Sequence, residues 1–413
     1  MTLKITIKDY PCGYGKTTKM IKSLSSNEKY LIVLPTLDEI TRVINGSKHV
    51  KLLTPELGLD GATTKKEALQ TLVLAGESIA ITHALFSSLK GVAKEGLLSD
   101  YNIIIDEVPE VVKPSNYRSR ESIQEFYIDT GYITVDNDGL VTPNDKWCSK
   151  NKQVSDTLSE NIRIQAKKGH LFLAGGSTFL SVLPEILLTS GKSVCILSYK
   201  TSGSYLLPYL KKLSIPYLVE SDIEAEKKFL NRAATLITVK DMPSLSGTKL
   251  TYGAQKEGMS VPSYYSKIPT ALKNMRSRHL SGVPIENILI TCKKDCWEED
   301  KGKSGVFAKN SRLKKANWIA NTTRGTNNFD HCSHLIYLYD QNVNPSIVNW
   351  LGCNTSAFND AYALTELIQW VWRGGVRKGQ PVTLYLPSQR MRTLFCAWLN
   401  GECIGDRAPP LAA

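Results

Sequence analysis

Asp9-Tyr-Pro-Cys-Gly-Tyr-Gly-Lys-Thr-Thr18 is the stretch on which the fold turns. Leu3 to Ile7 before it alternates apolar and polar residues as an opening strand does, and Lys19 to Leu24 after it suits a helix. Strand, glycine-bearing loop and helix in that order make a phosphate-gripping turn. Gly13 and Gly15 allow backbone amides, that of Tyr14 among them, to close around phosphate oxygens. Lys16 then neutralises the β/γ-phosphates, Thr17 offers its hydroxyl to magnesium, and Thr18 lies in the first turn of a helix whose N-terminus is itself positive. Tyr10 departs from the strict pattern, which asks for Gly or Ala at that position.

Some ninety residues downstream, Ile103-Ile-Ile-Asp-Glu-Val-Pro109 is an apolar β-branched run ending in two carboxylates. Such a run reads as a buried parallel strand, and the C-terminal ends of such strands are where α/β sheets hold ligands. Asp106 would hold the magnesium and Glu107 would polarise an attacking water.

Two apolar runs lie between these stretches and end in small polar residues: Tyr30-Leu-Ile-Val-Leu-Pro-Thr36 and Ser78-Ile-Ala-Ile-Thr-His-Ala-Leu-Phe86. Ser193-Val-Cys-Ile-Leu-Ser-Tyr-Lys-Thr201 is a third, preferred over Leu171 to Thr178 as the coupling strand because the helix-like Tyr205 to Leu213 follows it. In the second half, Asn287 to Lys294 forms a strand, and Trp318-Ile-Ala-Asn-Thr-Thr-Arg-Gly-Thr-Asn327 places Arg324, Gly325, Thr326 and Asn327 at a strand-to-loop junction. Ala361 to Val371 has helical apolar spacing and delivers Gln369-Trp-Val-Trp-Arg-Gly-Gly-Val-Arg377. A guanidinium from a neighbouring domain is what developing phosphoryl charge calls for. Arg373 and Arg377 share one face if the helix continues past Gly374 and Gly375.

Taken in order, these runs resemble the superfamily 2, DEAD-like helicases, of the divergent kind found in phages and plasmids. The resemblance implies two tandem RecA-like domains with parallel sheets, at about residues 1–222 and 223–413, with ATP and Mg2+ between them. It implies catalytic roles for Lys16, Glu107, Gln369, Arg373 and Arg377, a nucleotide contact from Gly325, and nucleic-acid contacts from Thr36, Thr82, His83, Arg324, Thr326 and Asn327. The second arginine stands one residue later than in the family's Gln-x-x-Gly-Arg-x-x-Arg pattern. Val108-Pro109 stands where a DEAD-box RNA helicase has Ala-Asp, which favours DNA, as a single strand or junction.

The formal charge of +12 agrees with a polyanionic partner. Basic residues recur in short patches, Arg276 to His279 and Lys309 to Lys315, which suits a groove shared with the threonines above. No stretch nears the ~20 apolar residues needed to span a bilayer, and nine irregularly spaced cysteines suit a reducing cytoplasm, that of the host if phage-encoded. A zinc set of Cys292, Cys296, Cys332 and His334 matches no common spacing. An accessory insertion is expected at about 111–170, with a hairpin over Tyr132 to Thr142 around an Asp-Gly turn that could act as a strand-separating pin. Two other readings fit the same loop and acidic strand: a viral DNA-packaging ATPase, and a basic nucleic-acid-binding protein with a degenerate phosphate loop.

Overall fold

The computed structural model describes residues 5–115, 122–147, 157–299 and 303–402; Leu3 and Lys4 of the expected opening strand lie outside them. The first half contributes β1 (Ile5–Asp9), β2 (Lys29–Leu34), β3 (Ile79–Thr82) and β4 (Tyr101–Asp106). An accessory layer follows: β5 (Val112–Pro114), β6 (Ile133–Val135), β7 (Val141–Pro143), β8 (Leu171–Ala174) and β9 (Thr178–Val182). Then come β10 (Ser193–Ser198) and β11 (Tyr217–Glu220). The second half contributes β12 (Ile237–Lys240), β13 (Ile288–Thr291), β14 (Glu298–Glu299), β15 (Lys303–Ser304), β16 (Asn317–Trp318), β17 (His334–Tyr337) and β18 (Val382–Tyr385).

Two parallel sheets result, ordered β11-β1-β10-β4-β2-β3 and β12-β18-β17-β13-β16. Both are covered on both faces, which is why their strands read as continuous apolar runs rather than alternations. Leu31, Val33, Ile103 and Ile105 enter one core of the first sheet, while Ile32, Leu34, Ile104 and Leu197 enter the other. In the second sheet Leu289, Leu335 and Leu384 point one way, and Ile288, Ile290 and Ile336 the other.

The accessory layer reaches Val182, beyond the expected limit near residue 170, because Leu171–Ala174 and Thr178–Val182 form an antiparallel sheet with β5. That disposes of Leu171–Thr178 as a coupling strand, whereas β10 lies between β1 and β4 in the main sheet. The expected hairpin is β6–β7, with Thr134 opposite Thr142. It does not project as a pin: Ile133 and Val141 are buried in a small core with Tyr127, Trp147 and Phe179.

The two halves interlock. Tyr199, just after β10, is buried in the second domain's core, where Trp398 Nε1 donates to its hydroxyl at 3.3 Å. In return, the helix Pro345–Leu351 sends Ile347 and Leu351 into the first domain's core. Between them, Thr365 Oγ1 donates to the carbonyl of Lys200 at 3.2 Å. A Cβ on Gly203 would stand 2.2 Å from Thr365 Oγ1 and 2.3 Å from the Ala361 carbonyl oxygen, so only glycine fits. Gly203→Ala is therefore expected to lower stability by about 1–3 kcal/mol through overpacking. Urea unfolding measures this, and an unchanged midpoint would mean the halves do not pack so closely in solution.

Candidate functional site

The glycine-bearing loop between β1 and the first helix has the strand, turn and helix that the sequence implies. Gly13 and Gly15 hold left-handed φ values of 76° and 79°, conformations in which other side chains are strained. A Cβ at either would meet nothing, so the constraint is backbone conformation and not space. Lys16, the first residue of the helix Lys16–Lys22, folds back so that its Nζ donates to the carbonyls of Tyr10 at 2.7 Å and Pro11 at 3.1 Å. The ring of Tyr14 stacks on Tyr10 at 4.8 Å and meets the Lys19 ammonium at 3.5 Å, and its hydroxyl donates to Asp222 Oδ2 at 3.3 Å. Tyr14 thus has only its backbone to offer a phosphate. Thr17 and Thr18 both line the cleft above the loop.

β1, β10 and β4 run in parallel register, so the loop after Asp9, Ser198 and Asp106 all emerge at one end of the sheet. Thr17 Oγ1 donates to Asp106 Oδ2 at 2.8 Å, which gathers a hydroxyl and a carboxylate, hard oxygen donors of the kind magnesium takes. Burial pushes the Asp106 carboxyl up to about 6, against the lowering effect of the Thr17 hydrogen bond. Glu107 follows with φ 67°, a left-handed conformation that costs a β-carbon-bearing residue on the order of 1 kcal/mol or more. Its amide is anchored on the Leu197 carbonyl at 3.0 Å, and the turn aims the carboxylate across the cleft. Asp9, which no sequence signal singled out, has its carboxyl raised by burial and accepts from the Thr201 amide at 3.0 Å.

The opposite wall belongs to the second domain. The helix Ser356–Val371 ends at Trp372, and Arg373 NH2 reaches Glu107 Oε1 at 3.2 Å while NH1 donates to the Thr326 carbonyl at 3.3 Å. The helix does not continue past Gly374, as a shared face for the two arginines would require. Gly374 is extended, and a separate 3-10 turn, Gly375–Lys378, carries Arg377. Gly375 makes that bend by donating to the Cys332 carbonyl at 2.9 Å. Arg377 nevertheless lines the cleft with Arg373 and Gln369, its charge disfavoured by burial and by Arg373 beside it.

Gly325 sits where the halves touch. Thr36 Oγ1, which caps the helix Leu37–Gly46, also donates to the Gly325 carbonyl at 3.3 Å. A Cβ on Gly325 would fall 2.6 Å from Pro35 Cγ. Arg324 does not display its guanidinium on the outside, because Glu366 of the Gln369 helix holds it within the cleft. His83 also turns inward, with Nε2 2.9 Å from the Asp106 carbonyl; burial lowers its pKa, and the ring donates as a neutral imidazole. Thr82 caps the short helix His83–Phe86, and Asn327 lines the cleft. Tyr252, Lys294, Trp318, Asn321 and Gln341 carry the cleft onward along the second sheet, and sequence reading assigned none of them a role. Its volume of about 1410 Å³ exceeds the ~300–1,000 Å³ of ordinary small-ligand sites, so one small ligand would fill only part of it.

No group of three or more His, Cys, Asp or Glu able to hold a metal occurs among the described residues. The zinc set fails on packing: Cys292 and Cys296 are buried in one apolar core and Cys332 in another. No helix among those residues is long and apolar enough to cross a membrane.

Tandem parallel α/β domains with a lysine loop on one and arginines on the other, facing across a shared cleft, define a two-domain RecA-like architecture, here with an accessory layer in the first domain. A comparison with one solved structure agrees on that fold. A solved structure described as XPD_APO covers 97% of this chain and 95% of its own at a TM-score of 0.52, with 12% identity. A second, described as XPD_Helicase, covers 97% and 94% at a TM-score of 0.47 and 12% identity. Residues 228–399 match the family described as the YonV C-terminal Rossmann-like domain. Among curated proteins, the SPbeta prophage-derived uncharacterized protein YonV of Bacillus subtilis (strain 168) is 25% identical over 415 residues, covering 97% of this chain and 99% of its own.

The raised Asp106 carboxyl has a measurable sign. A carboxyl whose pKa is higher folded than unfolded costs nothing below about pH 4, and its penalty grows until pH passes about 6. Asp106→Asn is expected to be the more stable protein at pH 7.5 in metal-free buffer, by on the order of 2–3 kcal/mol, and no different at pH 4. Denaturant unfolding at the two pH values reads this, and a less stable variant at pH 7.5 would contradict the assignment.

Proposed function

We propose that the chain is an ATP-driven nucleic-acid motor, a divergent superfamily 2 helicase or translocase of the phage or plasmid kind, acting on DNA in preference to RNA. The observation that carries this reading is the contact of Arg373 with Glu107: a cation from one domain meets the acidic strand end of the other, directly above the lysine loop. The prophage origin of the B. subtilis relative supports a place in the cytoplasm of a bacterial host.

The residues present fit ATP and magnesium. Lys16, held only by two carbonyls of its own loop, is free to exchange them for phosphate oxygens, with the amides from Gly13 to Thr18 around it. Thr17 and Asp106 would hold the metal, which when bound neutralises phosphate charge. Glu107 keeps one buried oxygen without a partner, suited to orienting a water. With no phosphate present Arg373 neutralises Glu107; a triphosphate is the stronger partner for the guanidinium and would release the carboxylate to act on that water. Gln369 and Arg377 complete the second-domain wall, and Gly325 reports closure through its seat on Pro35 and Thr36.

Coupling runs through the end of β10. Asp9 holds Thr201, Lys200 holds Thr365, and Thr365 lies one turn from Gln369 on the same helix. A shift of the phosphate loop would therefore move the helix whose end leads into Arg373. Thr36, Thr82, Thr326 and Asn327 remain the proposed strand contacts, with His83 and Arg324 relaying between strand and nucleotide from their places inside the cleft. Contacts of this kind meet phosphates, so binding should tolerate any sequence and weaken steeply with salt.

Phosphate release measured with and without single-stranded DNA tests the reading. Wild type should turn over and be stimulated by the strand. Lys16→Ala and Glu107→Gln should lose turnover, and Arg373→Ala or Arg377→Ala should cost about 10³-fold, whichever provides the finger. A wild type that releases no phosphate in either condition would end the proposal.

A further inference from the structure

Two acid-free stretches of the second domain meet at the end of its sheet that faces away from the cleft. Residues 262–279 carry Lys267, Lys273, Arg276 and Arg278 with no Asp or Glu, and residues 305–318 carry Lys309, Arg312, Lys314 and Lys315 with none either. The sequence suggested a single groove shared with Thr36 and Arg324, but the topology separates them. The helix Pro262–Arg278 ends just before β13 begins, and the loop 310–316 runs into the first residue of β16. The cleft opens at the opposite, C-terminal ends of these strands, at Cys292, Lys294, Trp318 and Ala320. Along the four-residue β13 the two ends stand roughly 13 Å apart, whereas along the two-residue β16 only about 7 Å separates Ala316 from Trp318. None of the exposed cations lines the cleft.

The patch is held rigidly. Arg312 NH1 donates to Ser277 Oγ at 3.2 Å, joining the loop to the helix. The loop alternates inward and outward: Ser311, Leu313 and Ala316 are buried, while Arg312, Lys314 and Lys315 are exposed. Buried Ser311 donates to the Ala308 carbonyl at 2.9 Å and accepts from the Leu313 amide at 3.1 Å, fixing Arg312 at φ 61°. Arg276 is spent internally on the carbonyls of Leu280 and Val283. That leaves Lys267, Lys273, Arg278, Lys309, Arg312, Lys314 and Lys315 exposed, with no carboxylate partner among the described residues.

We infer that this surface is a second nucleic-acid site, for the phosphate backbone of a duplex, separate from the strand path of the cleft. A cluster of exposed cations with no acidic residue in either stretch suits a rigid polyanion with one charge per ~1.7 Å of axis. The exposed residues of 305–316 include no aromatic side chain, Phe307 being buried, so the loop offers nothing for bases to stack on as single-strand sites do. Such a surface would hold the duplex arm of a junction while the cleft handles the freed strand. The site rests on charge and position and does not need ATP turnover.

The test is binding of a fluorescent blunt 20-base-pair duplex, titrated across salt, to wild type and to the Arg278→Ser, Lys309→Ser, Arg312→Ser, Lys314→Ser combination. The expected result is a loss of at least tenfold at low salt, with the log-log salt slope shallower by ~0.9 per contact removed and basal ATPase unchanged. Unaltered duplex affinity with that slope preserved would overturn it, as would wild type binding no duplex, or binding anionic-lipid vesicles while ignoring duplex. Charge reversal at Lys314 and Lys315 alone, both wholly outside the core, guards against misfolding and should reproduce the loss. Lys16→Ala must leave duplex affinity intact, so a failed motor reading with a surviving patch, or the reverse, would be told apart.

Discussion

A buried ion pair across a domain boundary organises the molecule. Arg373 is almost wholly shielded from water, and Glu107 is about three-quarters shielded. Taking such charges out of water costs several kcal/mol apiece, and their attraction repays it only when the remaining polar atoms are also met. Here they are not: Arg373 Nε and Glu107 Oε2 are both buried without partners, and Glu107 sits in a left-handed backbone conformation. As a stability device this pair is poor. As a pair held ready for an anion, each unmet atom is a place where phosphate or water would be bound.

The surrounding structure tolerates that strain because the halves are fastened elsewhere. Tyr199 of the first domain lies beneath Trp398 of the second, and the helix Pro345–Leu351 returns the exchange by packing Ile347 on the first domain's core. Between these anchors lie the contacts of Gly203 with Ala361 and Thr365, and of Gly325 with Pro35.

The accessory layer and the two basic stretches show how nearness in sequence misleads. The hairpin around Asp138 and Gly139 has the turn chemistry of an exposed pin, yet Ile133 and Val141 are core residues because the layer has its own small hydrophobic centre. Arg276 has the charge of a surface cation and spends it on two backbone carbonyls. Arg324, a strand contact by motif, is held by Glu366, whose carboxylate emerges from a helix 42 residues later.

By itself, the sequence determined the chemistry at the ends of the central strands. Glycines at 13 and 15, the Lys16-Thr17 pair and the carboxylates at 106 and 107 follow from local rules, since a left-handed turn needs glycine and a doubly covered parallel strand needs an unbroken apolar run. Short strands such as β12 and β18 carry no such residue at their ends and look like any four-residue β-rich run. Tertiary structure alone decided where the helix before Arg373 would stop, that Arg377 would still face the lysine loop, and which cations would have no carboxylate partner among the described residues. Those outcomes depend on contacts between residues tens to hundreds of positions apart, such as Gly375 on Cys332 and Arg373 on Glu107, and no local pattern encodes them.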